Sequence, residues 1–231
     1  MGIVKKTSRS KLRAAEIVAL YTQLALERPD PRTELDYVDP YTLVVAVALS
    51  AQSTDVGVNR ATKGLFAAAD TPQKMVALGV EGVEKYIKTI GLWRGKAKNV
   101  MSLSQKLIDD FGGEVPRDEA SLVKLPGVGR KTANVVMSMA FDIPTLAVDT
   151  HVFRIGNRLG IAPGKTPDQV ERAFLKVIPD DYLFHAHHWL ILHGRYCCKA
   201  RKPDCAACII ADLCKSKEKT TNVPAPLIEH S

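Results

Sequence analysis

The sequence predicts an all-α protein, on three observations. Proline and glycine divide the chain into segments of helical length. A hydroxyl followed by proline, the pairing that caps a helix and opens its first turn, occurs at Thr71-Pro72 and again at Thr166-Pro167. Alternating apolar and polar residues, the mark of a half-buried strand, are missing apart from the short apolar run 145–148.

An amphipathic run over residues 11–27 is stopped by Pro29-Asp30-Pro31, because proline cannot continue a helix and biases the residue before it. Residues 41–51 are apolar nearly all round and predict a buried helix. Thr54-Asp55 opens the next, running towards Ala68, and Thr71-Pro72 opens another. Gly79, Gly91, Gly95 and Gly112-Gly113 read as helix ends, with a periodic segment at 97–111 before the last pair. The helix begun at Thr166-Pro167 is closed by Pro179, and residues 181–196 form the one after it. Beyond Cys214 the chain is polar and contains proline, and it reads as mobile.

At 231 residues the chain can form one large domain or two small ones, with a properly buried core. Its formal net charge of +7 is concentrated. Lys5, Lys6, Arg9, Lys11 and Arg13 are accompanied by no acid. Arg195, Lys199, Arg201, Lys202, Lys215, Lys217 and Lys219 face only Asp204, Asp212 and Glu218, which leaves the rest of the chain slightly acidic. Such placement is the footprint of a polyanion partner, the plainer alternative being a solvated tail and loop. No run approaches the roughly 18–20 apolar residues of a membrane span, and no apolar segment follows the N-terminal charges as in a signal peptide. The expectation is a cytoplasmic, nucleoid-associated bacterial protein, in which clustered cysteines serve as ligands rather than as disulfides.

Two motifs carry chemistry. The first is Leu125-Pro126-Gly127-Val128-Gly129-Arg130-Lys131-Thr132, a tight turn between two apolar helical stripes. Gly127 and Gly129 accept unusual dihedrals and let a phosphate approach the backbone, and the turn ends at a helix N-terminus, which favours an anion. Lys131 sits in the first turn of the second helix. There the dipole and Arg130 disfavour its ammonium form, partial burial would act in the same direction, and a lysine with a lowered pKa is suited to nucleophilic attack on a sugar aldehyde. A phosphate contact is equally compatible with its position. Asp149, in Val148-Asp149-Thr150-His151-Val152-Phe153, is the acid to pair with it, or simply a helix N-cap.

The second motif is Cys198-x6-Cys205-x2-Cys208-x5-Cys214, a thiolate quartet suited to an iron–sulfur cluster or to zinc. A zinc ribbon usually has two Cys-x2-Cys pairs, and this chain has one. Cys197 is one cysteine too many and reads as a free thiol.

Taken together, these segments resemble the endonuclease III group of helix-hairpin-helix DNA glycosylases. The resemblance lies in LPGVGRKTANVV from Leu125, VDTHVF from Val148, HHWLILHGRY from His187 into the cysteine array, LSAQSTD from Leu49 and TIGL from Thr89, and it covers about residues 15–214. It implies two helical lobes flanking a DNA-binding cleft. Residues 33–143 would form a six-helix barrel with the hairpin, residues 1–32 and 144–214 a cluster lobe, and residues 215–231 a flexible tail. It implies a [4Fe-4S] cluster on Cys198, Cys205, Cys208 and Cys214, braced so that Lys199, Arg201 and Lys202 meet phosphates. It implies Lys131 as Schiff-base nucleophile and Asp149 as catalytic carboxylate. Gln52 and Leu92 would enter the duplex, Gly127, Gly129 and Arg130 would contact its backbone, and Ser50 and His151 would border the lesion pocket.

The implied activity is that of a monomeric bifunctional glycosylase and abasic-site lyase acting on double-stranded DNA with oxidised pyrimidines or abasic sites. An adenine-mismatch glycosylase would call for a residue other than lysine at 131 and usually an extra C-terminal domain. A non-catalytic DNA-binding module would use Lys131 and Asp149 only for phosphate contact and capping.

Overall fold

The computed structural model describes residues 9–220, and among them ten α-helices and no strand. Their order is α1 (Ala14–Glu27), α2 (Pro40–Ser50), α3 (Asp55–Ala68), α4 (Pro72–Ile87), α5 (Trp93–Phe111), α6 (Glu119–Leu122), α7 (Arg130–Phe141), α8 (Thr150–Leu159), α9 (Pro167–Phe174) and α10 (Asp180–Tyr196). The chain divides into two compact units, one from Arg32 to Ala147 and one combining the residues up to Pro31 with those from Val148.

Local chemistry sets most helix starts. Thr54, Thr71 and Thr166 each accept a backbone N–H three residues on, and Asp39 does the same ahead of Pro40. Gly79 separates two helical stretches within α4, at φ 74° and ψ 163°, as the sequence reading has it. Two details differ from that reading. The fifth helix begins at Trp93, before the periodic segment. The run 145–148 is extended but pairs with no strand. It is anchored where Thr145 Oγ1 donates to the Asn134 carbonyl at 2.6 Å, with Leu146 and Ala147 buried.

In the Arg32–Ala147 unit, α2 is the central element. Tyr41 to Val47 and Leu49 are all buried, which is why this helix is apolar on every side. Around it pack Leu65, Met75, Ile87, Leu103, Leu107, Leu122 and Val136, each wholly buried. In the other unit α1 packs on α10 through aromatic rings, with Tyr21 stacked on Tyr182 at 5.7 Å and Tyr182 edge-on to Trp189 at 6.0 Å. Trp189 Nε1 donates to the Arg28 carbonyl at 2.8 Å and so pins the end of α1.

Part of the segment read as a mobile tail is held. Lys215 pairs with Glu16 at 2.8 Å, Glu218 with Arg158 at 3.1 Å, and Lys219 Nζ donates to the Ala211 carbonyl at 2.5 Å. The remainder of that tail, and the basic residues Lys5 and Lys6, lie outside the described residues.

Candidate active site and metal centre

The hairpin joins α6 to α7. Leu122, Leu125 and Val128 are buried on one side of it, and the turn is closed by Val128 N–H donating to the Leu125 carbonyl at 3.0 Å. The two glycines do different work. Gly127 has φ 79°, and a Cβ there would lie 3.1 Å from that of Asn99, so both backbone and space require glycine. Gly129 is extended, at φ −91°, and a Cβ on it would meet nothing within 4 Å. It is the N-cap of α7, and no side chain hydrogen-bonds to the start of this helix as a cap. Arg130 Nε reaches back to Glu119 Oε1 at 3.5 Å and ties α7 to α6. Lys131 is exposed.

Gln52 at φ 55° and Leu92 at φ 58°, both exposed and in the same unit, stand in the left-handed region, as does Asp142 at the C-cap of α7. Leu92 is 65% exposed at the N-cap position of α5, so core packing does not account for it. Ser50, the last residue of α2, is half-buried, and its hydroxyl donates to the Val47 carbonyl at 2.8 Å.

In the second unit Asp149 is the N-cap of α8. Its Oδ1 accepts the N–H groups of His151 and Val152, each at 2.8 Å. The other carboxylate oxygen has no hydrogen bond among the described residues. Capping and a reactive carboxylate are therefore compatible in one side chain. His151 is half-buried, with Nδ1 3.2 Å from Arg154 Nη2.

The five cysteines are free thiols, and all line one cavity together with His193, Leu159, Pro203 and Ala211. Cys198 follows α10 and is buried, and its Sγ accepts from Arg158 Nη1 at 3.6 Å. Cys208 Sγ lies 3.6 Å from His193 Nε2, and the ligand atoms of His193, Cys197 and Cys208 fall within 4.8 Å of one another. Cys197, read from sequence as a bystander, thus faces the same cavity, where it donates to the Asp204 carbonyl at 3.3 Å. Burial pushes the Cys208 thiol up to about 12, with Cys197 alongside adding to the effect, and burial also raises Cys197 and Cys214. Soft donors converging on an apolar-walled space fit an iron–sulfur cluster, whose iron would displace the thiol protons.

The cluster loop is braced by two arginines that the sequence reading did not single out. Arg154 donates to the carbonyls of Gly194 at 2.8 Å and Cys198 at 3.1 Å. Arg158, one turn further along α8, donates to those of Lys199 at 2.8 Å and Ala200 at 3.3 Å. Their i,i+4 spacing behind Asp149 was the available signal. Lys199, Arg201 and Lys202 extend from this braced loop, all exposed, with Lys202 at φ 51°.

Comparison with known proteins agrees with this architecture. A family model described as HhH-GPD superfamily base excision DNA repair protein matches residues 45–180, and one described as the iron-sulfur binding domain of endonuclease III matches residues 198–214. Endonuclease III of Escherichia coli (strain K12) is 55% identical over 205 residues, 89% of this chain and 97% of that protein. Endonuclease III of Rickettsia conorii is 56% identical over 201 residues, 87% of this chain and 96% of that one. A solved structure of a trapped endonuclease III–DNA covalent intermediate has a TM-score of 0.83 at 45% identity, covering 88% of this chain and 96% of its own. A thermostable thymine-DNA glycosylase, 24% identical over 87% of this chain and 96% of its own, shares the fold at a TM-score of 0.79. The chain belongs to the endonuclease III family of base-excision DNA repair proteins, and it is a DNA glycosylase and abasic-site lyase with a [4Fe-4S] cluster.

Proposed function

We propose that the protein excises oxidised pyrimidines from duplex DNA through a Schiff base on Lys131 and then cuts the resulting abasic site by β-elimination. The observation that carries this reading is an exposed lysine amine in the first turn of an uncapped helix, directly after a glycine hairpin. A related endonuclease III, 45% identical, has been trapped as a covalent intermediate with DNA, and another structure of it is a non-covalent DNA complex.

The target base is first turned out of the stack, at a lower cost when damage has weakened its stacking. Gln52 and Leu92, exposed and held in the left-handed region, fill the space it leaves. Ser50 and His151 border the pocket that receives the base. The Lys131 amine then forms a bond to C1′, and the bond from C1′ to the base breaks, the base leaving with the electron pair. Asp149 takes a proton from the amine and stabilises the cationic sugar. Ring opening gives the protonated imine. Loss of a 2′ proton then expels the 3′ phosphate, and water hydrolyses the imine to restore the amine.

Cys198, Cys205, Cys208 and Cys214 hold the cluster, which supplies a rigid anchor for the basic loop rather than a reactant. Lys199, Arg201 and Lys202 meet phosphates from that loop, as do Arg130 and the backbone at Gly127 and Gly129. The protein acts as a monomer in the cytoplasm, at the nucleoid.

Borohydride reduction in the presence of a duplex bearing one thymine glycol tests the proposal. The expected result is a covalent protein–DNA adduct from wild type that is absent in Lys131→Ala. No adduct from a cluster-loaded wild type overturns the Schiff base.

A further inference from the structure

Alongside the loops that carry Gln52 and Leu92 lies a lysine that the excision chemistry does not use. Lys96, in the first turn of α5, is only 7% exposed, and its Nζ donates to Ser53 Oγ at 2.7 Å. That bond ties the start of α5 to the loop between α2 and α3, the two pieces of chain on which Leu92 and Gln52 stand. The pieces also meet at the backbone, where a Cβ on Gly91 would lie 3.5 Å from the Gln52 carbonyl oxygen. Each holds a non-glycine residue at positive φ, a conformation that persists only when its surroundings enforce it.

A lysine ammonium has three donors. Among the described residues the Ser53 hydroxyl is its one hydrogen-bond partner, and no carboxylate pairs with it. Burial lowers its pKa accordingly. If packing were the only requirement, an apolar side chain of the same length would meet it without burying a charge. What an apolar side chain could not supply is the bond to Ser53.

We propose that Lys96 is a positioning residue for duplex entry: through Ser53 it clamps the α2–α3 loop to the start of α5, so that Gln52 and Leu92 are presented to the DNA as one preorganised pair. The inference rests on the reading of these two residues as the ones that enter the duplex. Without the clamp the two loops would have to be ordered at each encounter, which slows entry into the stack but leaves phosphate contacts elsewhere intact.

The test is stopped-flow fluorescence of 2-aminopurine placed opposite a non-cleavable tetrahydrofuran abasic analogue, with the full-length, cluster-loaded protein. Leu92→Ala should suppress the fluorescence rise, as the reading of Leu92 requires. Lys96→Met should slow it by about tenfold, while the Kd for the duplex stays within about twofold. Ser53→Ala removes the same bond and leaves the charge in place, so it reports on the clamp even if Lys96→Met does not fold. The double variant should be no slower than Lys96→Met, because both changes break one interaction. Wild-type kinetics in Ser53→Ala beside a slow Leu92→Ala would overturn the clamp and leave the wedge standing. Wild-type kinetics in Leu92→Ala would overturn the wedge, and the clamp with it. A loss of affinity in Lys96→Met that accounts for the whole loss of signal would assign Lys96 to phosphate binding instead.

Discussion

One oxygen of Asp149 holds the start of α8, and the other is left without a hydrogen bond among the described residues. That division predicts how its variants separate structure from chemistry. Asp149→Asn keeps a capping oxygen, so its stability should stay within about 0.5 kcal/mol of wild type, while turnover on a thymine glycol duplex falls by about 10²–10⁴. Asp149→Ala should lose the same activity and a further ~1 kcal/mol of stability, measured by urea unfolding. A turnover for Asp149→Asn near wild type would reduce the residue to a cap. At this scale the residue types were legible in the sequence, because a lysine after a glycine hairpin and an acid at a helix start are local patterns. Exposure was not legible: the sequence left open whether Lys131 is partly buried, and it stands exposed, since burial depends on which neighbours arrive from elsewhere in the chain.

Helix α10 carries a charge problem that its sequence alone does not display. His188 is buried, its ring 5.2 Å from that of His187, and burial holds its pKa down to about 3, with positive charge on His187 and His185 adding to the effect. An unfolded imidazole takes up its proton near 6.5. Between those two values the unfolded state binds more protons than the folded state, so stability falls as pH is lowered through that window. The slope from this one group is at most about 1.4 kcal/mol per pH unit. His188→Gln removes the titration, and its urea-unfolding profile between pH 7.5 and 5 should be flatter than that of wild type; parallel profiles would show that His188 is not the group responsible. The limits of helices were legible where they are set by neighbouring residues, as at Thr54, Thr71 and Thr166. They were misread where tertiary packing decides. Gly95 lies in the first turn of α5 instead of ending a helix, and Lys96 and Ala97 next to it are buried. The run at 145–148 is apolar because Leu146 and Ala147 are buried there, not because a strand pairs with it.

For the molecule as a whole, the charge distribution predicts how DNA binding responds to salt. With Arg130, Lys199, Arg201 and Lys202 on phosphates, log K against log salt should have a slope of about −4 from these contacts alone. Arg201→Ala combined with Lys202→Ala should make it shallower by about 2 units. An unchanged slope would remove the cluster loop from the interface. The sequence by itself determined the helical class, the hairpin, the cysteine array and the clustering of positive charge, because each is written in the spacing of residues close together in the chain. Tertiary structure alone decided that Cys197 faces the cluster cavity, that Arg154 and Arg158 brace the basic loop, and that Lys96 reaches Ser53. The last two join residues about forty positions apart in the chain. No local pattern encodes such a distance; it follows from how the helices pack.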